Sequence, residues 1–287
     1  MKAAHRVLMG LSLAAVFTSY TVAQEMQGPP KVLTITREFI KPGKAGAIHD
    51  KSESNFVSAM AKAKWPTHYF AVNSLSGKTR ALYFTGYDSF AAWEKDNLAT
   101  MKDKALSAEL DRASVTDGEL LDSMDQSVWT FDEDLSLHPT TSFTGVRYLE
   151  ITVVHVKVGE EHEFHELSQM FIDTNKKAGT NAHWDTFELA YGGGDEYIFV
   201  SPDKSMAEID TGMAEDKQFR AALGEEGMTK LADLEKECVD SAESQLFAIN
   251  PAQSYPPEEW VKADPDFWKA SPAGAKPAAA PAKKPAQ

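Results

Sequence analysis

The chain has 287 residues, with 29 lysines and arginines against 43 aspartates and glutamates, so its formal net charge is −14. This excess of acid argues against binding to nucleic acid or to an anionic membrane surface by electrostatics. Hydrophobic residues make up 43% and charged residues 25%, which is typical of a globular protein. The single cysteine excludes a disulfide framework and a site built from several cysteine ligands.

Residues 1–23 have the three parts of a secretory signal peptide. Lys2 and Arg6 form a basic start, an apolar run follows over residues 7–17, and Thr21-Val22-Ala23 places small residues at the cleavage positions. The run is too short to span a bilayer, and no second run follows it. We therefore predict export to the periplasm or outside the cell, without membrane insertion after cleavage. The alternative is a buried N-terminal helix.

Residues 270–287 consist mainly of alanine, proline and lysine, and this composition predicts a disordered tail. The signal and the tail together hold five basic residues and no acidic ones. The part between them therefore carries 24 basic and 43 acidic residues, a net charge of −19. The acidity belongs to the folded part of the chain.

Two segments of the chain resemble each other at a spacing of 116 to 118 residues. This small drift in register indicates a duplication, and a period above about 100 residues is too long for a solenoid. We predict two domains, residues 31–137 and 144–250, followed by an apolar strap over residues 251–269. The matching pieces include Lys41-Pro42-Gly43-Lys44 with Lys157-Val158-Gly159-Glu160, His49-Asp50 with His165-Glu166, and Asp122-Ser123 with Asp240-Ser241.

Each copy has the same order of predicted elements. An alternating, β-branched strand is followed by a glycine turn, a helix of about five turns, a hairpin, a longer helical region and a last strand. The order β-α-β-β-α-β is the ferredoxin-like arrangement. In the first strand of the first copy, odd positions are expected to face the helices and even positions to face away. We predict an α+β fold in which two tandem ferredoxin-like (βαββαβ) repeats pack sheet to sheet as a pseudo-dimeric α/β barrel, within a monomer.

The element order and the piece Phe39-Ile40-Lys41-Pro42-Gly43-Lys44 resemble the dimeric α/β-barrel superfamily, especially its NIPSNAP-like and antibiotic-biosynthesis-monooxygenase-like branches. The resemblance covers residues 31–250 in a tandem form with both halves in one chain. The superfamily includes cofactor-independent monooxygenases, haem-degrading enzymes and chlorite dismutases. The sequence matches no haem-ligand or catalytic signature of these branches, so the resemblance implies a fold and no particular reaction. We expect no cofactor.

The histidines form the main group of candidate functional residues. His155 on a strand, His165 on the next helix and His183 near the following strand are predicted to converge between sheet and helix, where they could bind a ligand or transfer protons. His162 and His165 lie three positions apart on one helix and are a weak candidate for half of a metal site. The competing hypothesis is structural: His49 and His165 bond a turn at the helix edge, and His162 is solvated.

The first copy has a parallel set of candidate ligand-binding residues. Arg37 occupies an odd strand position where an apolar side chain is expected, so it needs an anionic partner from the protein or from a ligand. Trp184 stands just before a second strand, where a cleft would open, although core packing is its competing role. His68 is the strand histidine of the first copy and is offset by two residues from His183 of the second. His49 and His165, equivalent through the repeat, are the candidate catalytic residues for proton transfer.

Three functions stay open at the level of the sequence. The leading hypothesis is binding of a small aromatic or apolar molecule in the sheet–helix cleft of one or both repeats, without an assigned reaction. The first alternative is a cofactor-independent monooxygenase-type enzyme. The second is a non-catalytic structural or partner-binding protein of the cell envelope, which would fit the acidic surface and the tail.

Overall fold

A computed structural model describes residues 28–140, 142–192 and 194–269. The predicted signal peptide, residues 1–23, and the predicted tail, residues 270–287, lie outside the described residues. Within the described ranges, no helix is both long enough and apolar enough to cross a membrane.

Eight strands close into one antiparallel barrel. Around the barrel their order is β1-β3-β2-β8-β5-β7-β6-β4. The two halves join edge to edge, through β2 with β8 and through β4 with β6, so the predicted stacking of one sheet on the other is replaced by continuous hydrogen bonding. The strands are β1 (Val32–Ile40), β2 (Tyr69–Ser74), β3 (Arg80–Tyr87), β4 (Leu121–Leu137), β5 (Tyr148–Val156), β6 (Trp184–Leu189), β7 (Asp195–Asp203) and β8 (Val239–Ile249).

The long helical region predicted in each copy is broken once. Between α2 and α3 the break is at Asp103, whose carboxylate accepts hydrogen bonds from the amides of Ala105 and Leu106 and so caps α3. In α5 the break is at Gly224, whose φ of 74° favours glycine. The helices are α1 (Ala47–Ala63), α2 (Phe90–Lys102), α3 (Lys104–Gly118), α4 (Glu161–Ala178), α5 (Met206–Cys238), α6 (Glu258–Ala263) and α7 (Pro265–Trp268).

The interior of the barrel is the main hydrophobic core, and all eight strands contribute to it. The odd positions of β1 lie in this interior, so the prediction that they face the helices is wrong. In a closed barrel one face of each strand points inward and packs against the other seven strands. The side chains on that face must therefore be more apolar than those on the outer face. The buried strand residues of the interior are Leu33, Ile35, Val72, Leu82, Phe84, Trp129, Leu149, Ile151, Phe187, Ile198, Val200, Phe247 and Ile249.

The strap, residues 251–269, covers one end of the barrel instead of its outside. Trp260 and Phe267 pack against the interior core, as does Phe143 from the connection between the halves. The rings of Phe143 and Trp260 stack with 5.1 Å between their centroids. Arg147 pairs with Asp264 in the strap, which ties the strap to the start of β5.

The space between sheet and helices differs in the two halves. In the second half it holds an apolar core that includes Phe164, Leu231 and the fully buried Cys238. In the first half the corresponding core is small and contains Ala71 and Ala81, both fully buried. The two alanines leave room above the sheet of the first half, and polar side chains occupy that room.

Candidate metal centre

Four titratable side chains are buried together between the sheet of the first half and its helices. Glu38 comes from β1, His49 and Glu53 from the first turns of α1, and Asp117 from the end of α3. Their exposed fractions are 6%, 0%, 3% and 2%, respectively. We call these four residues the acidic cluster.

Local structure explains how the acidic cluster assembles. His49 and Glu53 are four positions apart on α1, so their side chains lie on the same helix face. Glu38 occupies an even position of β1, and this is the face that the closed barrel directs toward the helices. Asp117 joins them because α3 packs against α1.

The Nε2 atom of His49 is the centre of the acidic cluster. It lies 3.1 Å from Oε2 of Glu38, 3.5 Å from Oδ1 of Asp117 and 4.0 Å from Oε1 of Glu53. One ligand atom from each residue lies within 4.8 Å of the other three. Atoms that bind one ion at about 2.0–2.2 Å are separated by about 3 to 4.2 Å. Small side-chain shifts would therefore bring all four onto one ion.

The acidic cluster has too little positive charge of its own. Among the described residues, His49 is the basic side chain within 4.0 Å of all three carboxyl groups. Burial, and after it the charges of Glu38 and Asp117, raises the pKa of Glu53 to about 10. Oε1 of Glu53 and Oδ1 of Asp117 also have no hydrogen-bond partner. Such unpaired buried oxygens each cost about 1–3 kcal/mol, which a cation between them would offset.

Two tyrosines of the neighbouring strands border the acidic cluster. The hydroxyls of Tyr69 and Tyr83 are buried and have no hydrogen-bond partner. Burial, followed by the charges of Glu53 and Glu38, raises the pKa of both phenols well above the usual range. Both are therefore neutral hydroxyl groups in the protein without a metal ion.

The segment that follows β8 reaches back to His49. The Nε2 atom of the fully buried Gln253 lies 3.1 Å from Nδ1 of His49 and donates to Oδ1 of Asp50 at 2.9 Å. Asn250 donates to the same carboxylate oxygen at 2.8 Å. The bond to Asp50 turns the amino group of Gln253 toward His49, so Nδ1 accepts and Nε2 carries the ring proton toward Glu38.

The predicted histidine group of the second half does not form. His155 lies 3.7 Å from Glu196 near the start of β7, whereas His183 bonds the carbonyl of Pro202 near the end of that strand, at 2.8 Å. Six residues of strand span about 20 Å, so His155 and His183 cannot share a ligand. Because odd positions of β5 face the barrel interior, His155 is also separated from His165 on α4, and the predicted convergence is wrong.

His162 and His165 are exposed on α4. Neither belongs to any group of three or more metal-ligating side chains in the part of the chain that the structure describes. Helix α4 turns Phe164 and Leu167 toward the core, which leaves these histidines on its solvent side. His165 thus differs from His49, its predicted counterpart in the first half, which is fully buried, and the predicted role of His165 in a cleft is wrong.

Arg37, His68 and Trp184 each have a partner within the protein. Arg37 lies on the barrel-interior face near the end opposite the strap, with its side chain 34% exposed, and its Nε donates to Asp125 at 2.6 Å. The His68 ring lies 4.7 Å from that of Tyr255. The indole of Trp184 donates to a backbone carbonyl of β4 at 2.9 Å. The anion that Arg37 needs is therefore a protein carboxylate, and the other two side chains are held by packing and hydrogen bonding.

Sequence reasoning singled out His49 and missed the residues around it. The i, i+4 spacing of His49 and Glu53 is a local signal, whereas Glu38 lies on the face of β1 that is predicted from the sequence to point away from the helices. Asp117 and Gln253 carry no local signal, because they reach His49 through the packing of α3 and of the segment after β8.

Comparison with known proteins places the fold. No family model and no curated protein sequence matches the chain. A solved structure of a candidate monooxygenase from Fusobacterium nucleatum is 13% identical and covers 77% of this chain and 93% of that chain, with a TM-score of 0.50. The chain has the dimeric α+β-barrel fold.

Two further solved structures are similar to this dimeric α+β barrel. A candidate monooxygenase from Lactobacillus acidophilus is 9% identical, covers 76% of this chain and 93% of that chain, and has a TM-score of 0.48. A mutant chlorite dismutase from Candidatus Nitrospira defluvii is 8% identical, covers 84% of this chain and 99% of that chain, and has a TM-score of 0.45. Identities this low leave the reaction open.

Another buried carboxylate of this dimeric α+β barrel predicts a pH dependence of stability. Asp185 of β6 is 4% exposed and accepts a hydrogen bond from the amide of Thr140 at 2.8 Å. Burial raises its pKa from 3.8 to about 6. The folded state therefore binds this proton more tightly than the unfolded chain, so the contribution is full below about pH 4 and is lost as the pH rises through about 6.

Asp185→Asn should remove this dependence, because asparagine is neutral at every pH and its oxygen can still accept from Thr140. At pH 7 the variant should gain at most about 3 kcal/mol of unfolding free energy over the wild type. Urea unfolding at pH 4.5 and pH 7 measures the difference, with Asp111→Asn on the exposed side of α3 as control. The prediction is wrong if the free energy of unfolding falls by the same amount from pH 4.5 to pH 7 in Asp185→Asn and in the wild type.

Proposed function

We propose that this chain is an exported metalloprotein whose acidic cluster binds one transition-metal ion. The observation that carries the proposal is the burial of three carboxylates and one imidazole, each at most 6% exposed, at distances that suit ligands of one ion. Carboxylates buried in this number need compensating charge. One cation among Glu38, His49, Glu53 and Asp117 would supply that charge and give the unpaired oxygens a partner.

The donor set favours manganese, iron or zinc. Carboxylate oxygens suit hard ions such as Mn²⁺, and imidazole nitrogen suits iron and zinc. Ca²⁺ prefers six to eight oxygen ligands, which these residues do not supply. The bound ion would provide Lewis-acid or redox chemistry, and the protein would hold it by Nε2 of His49 and three carboxylate oxygens in a site shielded from water.

The metal proposal changes the ligand-binding hypothesis. Among the described residues, an apolar core fills the sheet–helix space of the second half and the acidic cluster occupies that of the first, which leaves little apolar space there for a small aromatic molecule. The monooxygenase alternative stays a proposal, and solved structures of the same fold carry that name. In this chain such an enzyme would use the bound ion in place of cofactor-independent chemistry.

We also propose that the barrel consists of two ferredoxin-like repeats in an exported monomer. In support, β1-α1-β2-β3-α2-α3-β4 recurs as β5-α4-β6-β7-α5-β8, and the strands of both halves are arranged in the same spatial order, β4-β1-β3-β2 and β8-β5-β7-β6. Mass determination of the mature protein from its own host tests the export step, because cleavage after Ala23 leaves Gln24 as the first residue.

Equilibrium dialysis of the full-length protein against Mn²⁺, Zn²⁺ or anaerobic Fe²⁺ tests the metal proposal. The wild type should retain one ion per chain. His49→Gln and Asp117→Asn should retain none, whereas His165→Gln, at the repeat-equivalent and exposed position, should bind as the wild type does. Circular dichroism establishes that each variant is folded. The proposal is wrong if the wild type binds none of the three ions, or if folded His49→Gln and Asp117→Asn both bind normally.

Gln253 should tune the affinity through His49. When an ion binds Nε2, the ring proton moves to Nδ1, and the amide of Gln253 must turn its oxygen toward that proton. Gln253→Leu, which cannot accept this hydrogen bond, should bind the ion about 10–100-fold more weakly. Gln253→Glu, whose carboxylate can accept it, should bind at least as tightly as the wild type. Isothermal titration calorimetry measures both, and a wild-type affinity in Gln253→Leu would contradict the role.

A further inference from the structure

Tyr83 stands beside the acidic cluster on the neighbouring strand. Its register partner on β1 is Thr36, and Glu38 is the next residue of β1 on the same face. Residues in such a diagonal relation are about 7–8 Å apart, which is within reach of an aromatic side chain. The Tyr83 side chain therefore extends over the sheet toward the helices, where it is 8% exposed.

The hydroxyl of Tyr83 and two carboxylate oxygens are unpaired in the same small volume. Tyr83 Oη, Glu53 Oε1 and Asp117 Oδ1 are all buried and have no hydrogen-bond partner. The Glu53 carboxylate is nevertheless the charged group that acts most strongly on the Tyr83 hydroxyl. The Tyr83 hydroxyl therefore lies beside the Glu53 carboxyl group, within reach of an ion that Glu53 would hold.

The second tyrosine is less well placed for that point. All three carboxylates of the acidic cluster act on Tyr83, whereas Tyr69 is affected by those of Glu53 and Glu38. The Tyr69 ring stands edge-on to that of Tyr83, with 6.3 Å between centroids, and lies equally far from Tyr255. Tyr69 also lies on β2, which is one strand further from β1 and Glu38 than β3, the strand of Tyr83.

We propose that the ion of the acidic cluster is ferric iron and that Tyr83 supplies a phenolate oxygen as a further ligand, an inference that rests on the proposed metal function. Carboxylate and phenolate oxygens are hard anionic donors, and a trivalent ion balances more of their buried charge than a divalent one does. On binding, the O–H bonds of Tyr83 and of the protonated Glu53 carboxyl group break, both protons pass to solvent water, and oxygen–iron bonds form. No electron is transferred in this step.

Visible spectroscopy of the full-length protein tests the inference. The protein is loaded with ferric citrate, freed of excess by gel filtration and assayed for bound iron. The wild type should show a phenolate-to-iron(III) charge-transfer band. Tyr83→Phe should lose the band. Tyr69→Phe should keep it, as should Tyr197→Phe, a matched buried tyrosine on the helix-facing side of the second half.

The outcomes separate this inference from the proposed function. Bound iron without the band, or a band that persists in Tyr83→Phe, overturns the role of Tyr83 and leaves the metal site standing. Retention of Mn²⁺ or Zn²⁺ together with failure to take up iron from ferric citrate overturns the choice of ion alone. Failure of the wild type to bind any of these ions overturns both.

Discussion

Truncation of Phe247 to alanine should lower the free energy of unfolding by about 3–5 kcal/mol. Phe247 is fully buried in the barrel interior, on the strand that joins the two halves. Its register partners are Ser74 of β2 in the first half and Leu149 of β5 in the second. The cavity would therefore open at the seam of the barrel, where neither half alone can close it.

Urea unfolding measures this loss. If the slope of the unfolding free energy against urea concentration is the same for the wild type and the variant, both proteins expose the same surface on unfolding and their free energies can be compared. Met124→Ala on β4 is the control, because its side chain is 56% exposed and the change should stay within about 0.5 kcal/mol. A loss below about 1 kcal/mol for Phe247→Ala would mean that the interior is not packed as a single core, since large-to-small changes in packed cores cost several times more.

A metal ion at a free concentration of one hundred times its dissociation constant should raise the free energy of unfolding by about 2.7 kcal/mol. The gain arises because the folded acidic cluster binds the ion and the unfolded chain does not hold the four ligands together. Asp117→Asn removes one ligand and one buried acidic group. This variant should show no gain with metal and should be at least as stable as the wild type without it.

Thermal or urea unfolding with Zn²⁺ and with EDTA measures both parts of this prediction. His165→Gln should respond to metal as the wild type does, because His165 is exposed on α4. An equal response of the wild type and Asp117→Asn would place the binding elsewhere, for example at the surface histidines. Severe loss of stability in metal-free Asp117→Asn would show that the carboxylate stabilises the fold by itself.

The sequence predicts the order of the elements well because each element leaves a local signal. Alternation in Val32–Ile40, the turn at Lys41-Pro42-Gly43-Lys44 and the apolar stripe of α4 depend on near neighbours, and they recur in both halves. Which face of β1 is inside depends on the pairing of β2 with β8 and of β4 with β6. These pairings join distant parts of the chain, so alternation shows that two faces exist without showing which one the barrel encloses.

The candidate site was predictable only at His49. The chain has 8 histidines, so each of them is a reasonable candidate for a functional residue. It has 43 acidic residues, and most acidic residues of a protein lie on solvated surfaces. Glu53 and Asp117 look like such surface residues in the sequence, and the packing of α1 against α3 is what buries them. His165 shows the converse, since the sequence spacing predicts it to match His49 and the structure leaves it exposed on α4.

Anomalous diffraction from crystals of the full-length protein grown with Zn²⁺ is the most direct test of the metal site. A single strong anomalous peak should lie about 2.0–2.2 Å from Nε2 of His49 and from carboxylate oxygens of the acidic cluster. Peaks confined to surface side chains such as His162, with none among Glu38, His49, Glu53 and Asp117, would contradict the proposed function.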